Sequence, residues 1–188
     1  ARASDFAALA FTDTLFGGVD IEPGTVFVST GAKRAFETPL PGIKGYLATT
    51  SGLSASDVQR YRRGRLPASD IDRQNRFFIG VERGEGMVFA SVGLGASFAL
   101  AKSHRTAPRQ RGGVALEGNI WLRPDANQHV ALSFLGDTAA GSLWARARYG
   151  YRPAGWAFAF GPEVAASADR TSGKARLGLH LSDMTVWK

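Results

Sequence analysis

From Ser142 to Ser182 the chain alternates apolar and polar side chains almost without interruption. Leu143, Ala145, Ala147, Tyr149 and Tyr151 interleave with Trp144, Arg146, Arg148, Gly150 and Arg152. Past a turn at Arg152-Pro153-Ala154-Gly155, Trp156, Phe158 and Phe160 take one parity, while Ala157, Ala159, Gly161 and Glu163 take the other. A third run follows Asp169–Gly173 and sets Leu177, Leu179 and Leu181 against Arg176, Gly178, His180 and Ser182. Successive side chains of a strand point to opposite faces, so alternation this long restricts the segment to half-buried β-strands. One face is mostly apolar and the other carries Arg, Glu, His and Gly, with Trp144 the exception. Joined by hairpin turns, such strands make the wall of an antiparallel β-barrel.

The same reading extends to the rest of the chain and gives about ten strands in all, the number expected of a small up-and-down barrel. They run Phe11–Asp20, Thr25–Phe36, Ile43–Thr50, Arg76–Arg83, Met87–Leu100, Gly113–Arg123 and His129–Leu135, followed by the three above. Turn residues punctuate them at Glu22-Pro23-Gly24, Pro39-Leu40-Pro41-Gly42, Gly84-Glu85-Gly86 and Pro124-Asp125-Ala126-Asn127. Two polar segments, Ser51–Arg73 and Ala101–Gly112, lose the alternation and read as long loops. The first has room for a short helix over Ser54–Arg60, with Ser54 as its cap. Long connections then alternate with tight ones, as in outer-membrane barrels with short periplasmic turns and both termini periplasmic. The expected fold is therefore all-β, a single domain over 1–188 forming an antiparallel up-and-down barrel of outer-membrane type.

Composition narrows the classes. The chain has 188 residues and no cysteine, so neither disulfides nor thiolate–metal sites are available. No apolar run approaches the roughly 20 residues of a membrane helix, which leaves strand-based spanning untouched. Ala1-Arg2-Ala3 is followed by no signal-peptide core, as expected of a mature or trimmed start. A net charge of +7 favours anionic partners without naming one. The rival architecture is a soluble, lipocalin-like ligand-binding barrel with the apolar face inward. It would have to pack Phe77, Phe98, Phe134, Trp156, Phe158 and Phe160 inside, whereas Gly80, Gly93, Gly95 and Gly178 on the polar parity suit a narrow interior.

Several residues on that parity carry potential chemistry: Glu117, Asn119, Arg146, Arg148, Glu163, Arg176 and His180. Charges enclosed by a barrel must be paired, so these form either a structural polar network or a binding site for a sugar or small anion. If Pro153-Ala154 is a two-residue turn, Arg146 stands opposite Gly161, with Glu163 diagonal to it. His180 and Glu163 would occupy adjacent strands. An outer-membrane lipid hydrolase needs a Ser–His–acid relay or paired carboxylates. No nucleophile elbow, HExxH or comparable motif appears, so no catalytic residue, metal site or cofactor is expected. His104 and His129, in a loop and near a turn, make no evident metal pair. Gly93-Leu94-Gly95 precedes no helical pattern and is no phosphate loop. Arg60, Arg62, Arg63 and Arg65 surround Tyr61 as a basic outer loop. Without an RNA-binding motif this argues against nucleic acid, and lipopolysaccharide phosphate or an acidic polymer is the chemically suited anion.

The runs Leu143–Tyr151, Gly161-Pro162-Glu163 and Ala175–His180 resemble the closing strands of the cellulose biosynthesis protein BcsS family. That family's pattern is an "ARxxxGY" strand, then "GPE", then an "R-x-G-x-H" strand. Leu15-Phe16-Gly17-Gly18 is similar to its opening. The tail departs from the terminal aromatic of many outer-membrane barrels, because Trp187 is penultimate. The resemblance implies a non-enzymatic barrel accessory protein of bacterial cellulose biosynthesis or export, located in the outer membrane. Its partners would be outer-membrane lipid and cellulose or cellulose secretion components.

Overall fold

The structure, a computed structural model, describes residues 12–22, 25–57, 69–103, 106–156, 158–170 and 172–182. Ten strands follow one another: β1 Thr12–Glu22, β2 Thr25–Glu37, β3 Ile43–Asp57, β4 Ser69–Glu85, β5 Val88–Ser103, β6 Thr106–Leu122, β7 Gln128–Asp137, β8 Ser142–Tyr151, β9 Ala159–Ala168 and β10 Gly173–Ser182. Each pairs antiparallel with the next in a single up-and-down sheet, and β1 and β10 are its edges. The sheet is curled into a half-barrel. Its curl is visible in side-chain contacts that skip strands: Tyr46 on β3 reaches Glu117 on β6, and Arg76 on β4 reaches Asp137 on β7. Such chords exist only on a concave face.

The two expected long loops are mostly strand. β3 continues to Asp57 and β4 begins at Ser69, with Ser54 paired to Asp72, so Ser54–Asp57 is not helical. β5 continues to Ser103 and β6 begins at Thr106, with a register shift between Ala101 and Ser103. The physical reason is that pairing does not require alternation. Where both faces of a sheet are wet, backbone hydrogen bonds persist while the apolar stripe disappears. The loop alternation read from the sequence is thus largely a difference in strand length: β4 and β6 have 17 residues, and β7 to β10 have 10 each.

Turn chemistry is local and legible. Gly42, Gly86, Gly141 and Gly155 take positive φ at connections, where a Cβ would be strained. Asp125 Oδ1 accepts the Asn127 amide at 2.7 Å, closing the β6–β7 turn. The Thr38 hydroxyl donates to the Ile43 carbonyl across the β2–β3 turn.

Burial separates the two faces. Leu47, Phe77, Ile79, Leu94, Leu116, Phe134 and Leu143 stay exposed on the outer parity. Of the rings expected on the apolar face, Phe77, Phe98, Phe134, Trp156 and Phe160 are exposed and Phe158 is half-buried, so the face does not turn inward as a lipocalin-like barrel requires. The buried apolar cluster on the concave side is small: Ala35, Tyr46, Ala48, Phe78 and Ala115, with Ala131, Ala139, Ala159 and Ala165 buried apart from it. Tyr46 lies across Gly80 and Gly93 on the two strands beyond its own, and neither site has room for a Cβ beneath the ring. Phe134 covers Gly118 in the same way on the outer face.

Candidate functional site

Two polar groups occupy the concave face. The first is centred on Tyr46, whose hydroxyl donates to Glu117 Oε1 at 2.9 Å. Lys33 on β2 sits over the Tyr46 ring, 4.1 Å from its centroid, and ion-pairs with Glu82 on β4. Asn119 Nδ2 donates to the Ser91 hydroxyl at 3.4 Å. Toward the opposite end of the strands, Arg76 Nε donates to Asp137 Oδ2 at 2.6 Å, and the Ser97 hydroxyl donates to Oδ1 at 2.8 Å. The Ala140 amide adds a third donor to Asp137, so this buried carboxylate is satisfied by a guanidinium, a hydroxyl and a backbone N–H.

The second group spans β7 to β10. Register places Arg148 opposite Glu163, Glu163 opposite Gly178, and His180 opposite Gly161, with all these side chains on the concave face. Arg146 is diagonal to Glu163 at 3.6 Å, Nη1 to Oε2, and its guanidinium covers the Trp144 ring at 4.9 Å. The hairpin register differs from the two-residue-turn expectation. Arg146 faces Ala165, because the connection from Arg152 to Phe158 is longer than two residues. The diagonal Arg146–Glu163 proximity arises through this other register. His129 stacks on Trp121 at 4.5 Å between ring centroids and meets His180 edge-on at 6.0 Å. Its ring fills the space above Gly150.

Of the residues singled out by sequence, Glu117 and Asn119 belong to the first group, and Arg146, Arg148, Glu163, Arg176 and His180 to the second. Arg60, Arg62, Arg63 and Arg65 lie outside the described residues. Sequence reasoning missed Lys33, Tyr46, Arg76, Glu82, Ser97, Asp137 and Trp121, and weighed His129 only as a metal ligand. Parity alone would have flagged Arg76, Glu82 and Ser97, which alternate with Phe77, Val81 and Phe98. Among the described residues no cluster of three or more His, Asp or Glu is arranged for a metal.

A family model for cellulose biosynthesis protein BcsS matches residues 15–188, β1 to β10 and the tail beyond. The chain belongs to the BcsS family. No curated protein and no solved structure matches it. The family match spans both polar groups, so this BcsS chain is a cellulose-biosynthesis-associated protein with a charged concave face. Family membership assigns no catalytic role to any of these residues.

Proposed function

We propose that this BcsS chain is a non-enzymatic accessory protein of cellulose biosynthesis or export that sits as a closed β-barrel in the bacterial outer membrane. The observation that carries the reading is the inverted distribution of side chains. Large apolar residues cover the outer face of β2 to β10, while the concave face holds ion pairs and hydrogen-bonded polar groups. In water that outer surface is a severe aggregation liability, whereas in lipid it is the expected wall of a spanning barrel. Strand pairing satisfies the backbone of β2 to β9, and a hydrocarbon environment demands the same of the edge strands β1 and β10. Near one end Trp156 packs against Phe158 and Phe160 at 5.0 and 5.7 Å, beside exposed Tyr149 and Tyr151. Such a cluster suits the aromatic girdle of a membrane interface. Closure requires the edges β1 and β10 to meet.

The concave face favours a structural part over chemistry. Its Asp137 is fully engaged by donors, with Arg76 and Ser97 buried against it, and Tyr46 is buried toward the other end of the strands. Cross-strand chords of this kind obstruct the interior, which fits a protein that assists polymer secretion without serving as its conduit. The test is cell fractionation together with cellulose yield in a deletion strain. Outer-membrane recovery and reduced cellulose support the reading; a buffer-soluble protein, or unchanged cellulose, overturns it.

A further inference from the structure

We infer that the concave patch on β8, β9 and β10 is a binding site for a neutral saccharide, centred on the open space above Gly178. The patch is a grid. Arg148 and Arg146 on β8 face Glu163 and Ala165 on β9, and these face Gly178 and Arg176 on β10, with His180 next along. Glycines elsewhere in it are covered: His129 lies over Gly150, and the Tyr149 carbonyl blocks Gly161. Gly178 is different, because a Cβ built there meets no atom within 4 Å. The notch is flanked by polar atoms that lack hydrogen-bond partners among the described residues. His180 is 9% exposed; apart from an approach to the Gly161 backbone, its ring nitrogens have no hydrogen-bond partner among the described residues, and Arg146 Nε is likewise buried and unmatched there. Buried polar atoms left in this state cost stability unless a ligand or water meets them. The Glu163 carboxylate beside them contacts Arg146 at 3.6 Å.

The pattern of donors and acceptors selects the ligand class. Arg146 offers a donor, Glu163 offers acceptors, and a neutral imidazole offers one of each. A carboxylate supplies acceptors alone and would leave Glu163 unmet, and a phosphate would place its negative charge beside the Glu163 carboxylate. Sugar hydroxyls donate and accept together, so adjacent hydroxyls of one pyranose can serve all three side chains. Trp144 borders the patch beneath Arg146 and adds apolar surface for the C–H face of a ring. The choice of a β-1,4-glucan among neutral saccharides rests on the cellulose reading above; the notch and its unmatched atoms do not.

The test is a titration of the purified full chain in detergent micelles with cellotetraose, followed by tryptophan fluorescence, with inorganic phosphate in parallel. A saturable response to cellotetraose and none to phosphate is expected. Gly178→Val puts a Cβ where no atom lies within 4 Å and projects two methyl groups into the notch, and should weaken the response at least tenfold while gel mobility before and after boiling stays that of the wild type. His180→Ala, which removes the unmatched ring, should do the same and serves if the valine variant fails to fold. No response to cellotetraose, a response to phosphate in its place, or equal binding by both variants overturns the site. A protein that fractionates with the outer membrane and supports cellulose output while giving no response refutes this site alone; loss of those properties refutes the membrane reading instead.

Discussion

At the scale of single residues the two carboxylate–guanidinium pairs of the concave face differ in kind. Arg76 and Asp137 have side chains only 7% and 0% exposed, and the carboxylate has further donors. Removing one partner strands a buried charge, so Arg76→Ala should cost about 3–5 kcal/mol in an unfolding titration. Arg146 and Glu163 are wetter, at 31% and 20%, and their closest approach is 3.6 Å. Arg146→Ala and Glu163→Gln should each cost about 1 kcal/mol or less, close to the value for exposed pairs. A double-mutant cycle measures the coupling directly. Coupling at Arg146–Glu163 as large as that at Arg76–Asp137 would contradict the assignment of the second patch to an open notch. The proximity of Arg146 and Glu163 was expected from shared parity but through a register the structure does not have; Glu163 is diagonal to Arg146 whether Gly161 or Ala165 stands opposite. The Arg76–Asp137 and Tyr46–Glu117 contacts were not legible, since they join strands three apart. Curl, which side-chain alternation does not encode, sets those distances.

At the scale of elements, glycines and aromatic rings hold neighbouring strands in register. Gly80 lies beneath Tyr46 and against the Val92 carbonyl, so Gly80→Ala must displace backbone as well as a ring. A destabilisation of about 1–3 kcal/mol is expected from overpacking, read as a shift in denaturant midpoint. Gly86→Ala meets no neighbour and should lose stability through its φ of 58° alone. The turns at Gly42, Gly86 and Gly155 could be placed from sequence because Pro and Gly mark them chemically. The outer ends of β3 to β6 could not. Ser51, Ser54, Asp72, Asn75, Arg109 and Arg111 make those stretches polar on both faces, so they keep the ladder and lose the pattern that announces it. Protease added to intact cells should therefore cut near Arg62–Arg65, between β3 and β4, and spare the rest of the long strands. Cleavage only after the outer membrane is opened would reverse the proposed orientation.

At the scale of the whole molecule the decisive contrast is between water and lipid around the outer face. Ile79 is 64% exposed on β4 and packs against little of the protein itself. If the face is wet, Ile79→Arg is close to neutral, within about 0.5 kcal/mol. If it lies near the bilayer midplane, the same change should cost roughly 2–4 kcal/mol when folding is measured into vesicles. Folded protein should also migrate apart from boiled protein on a gel, and identical mobility with solubility in plain buffer would favour a water-soluble barrel. The unequal strand lengths have a geometric result. With 17 residues in β4 and 10 in β8, one side of the sheet outreaches the other by roughly 20 Å along the strand direction. An evenly trimmed sheet has a level rim, but this one has a tall wall at β3 to β6 and a low sill at β7 to β10. In the proposed membrane setting, such a rim would give the molecule a heading in the plane of the surface, with its low side at β7 to β10.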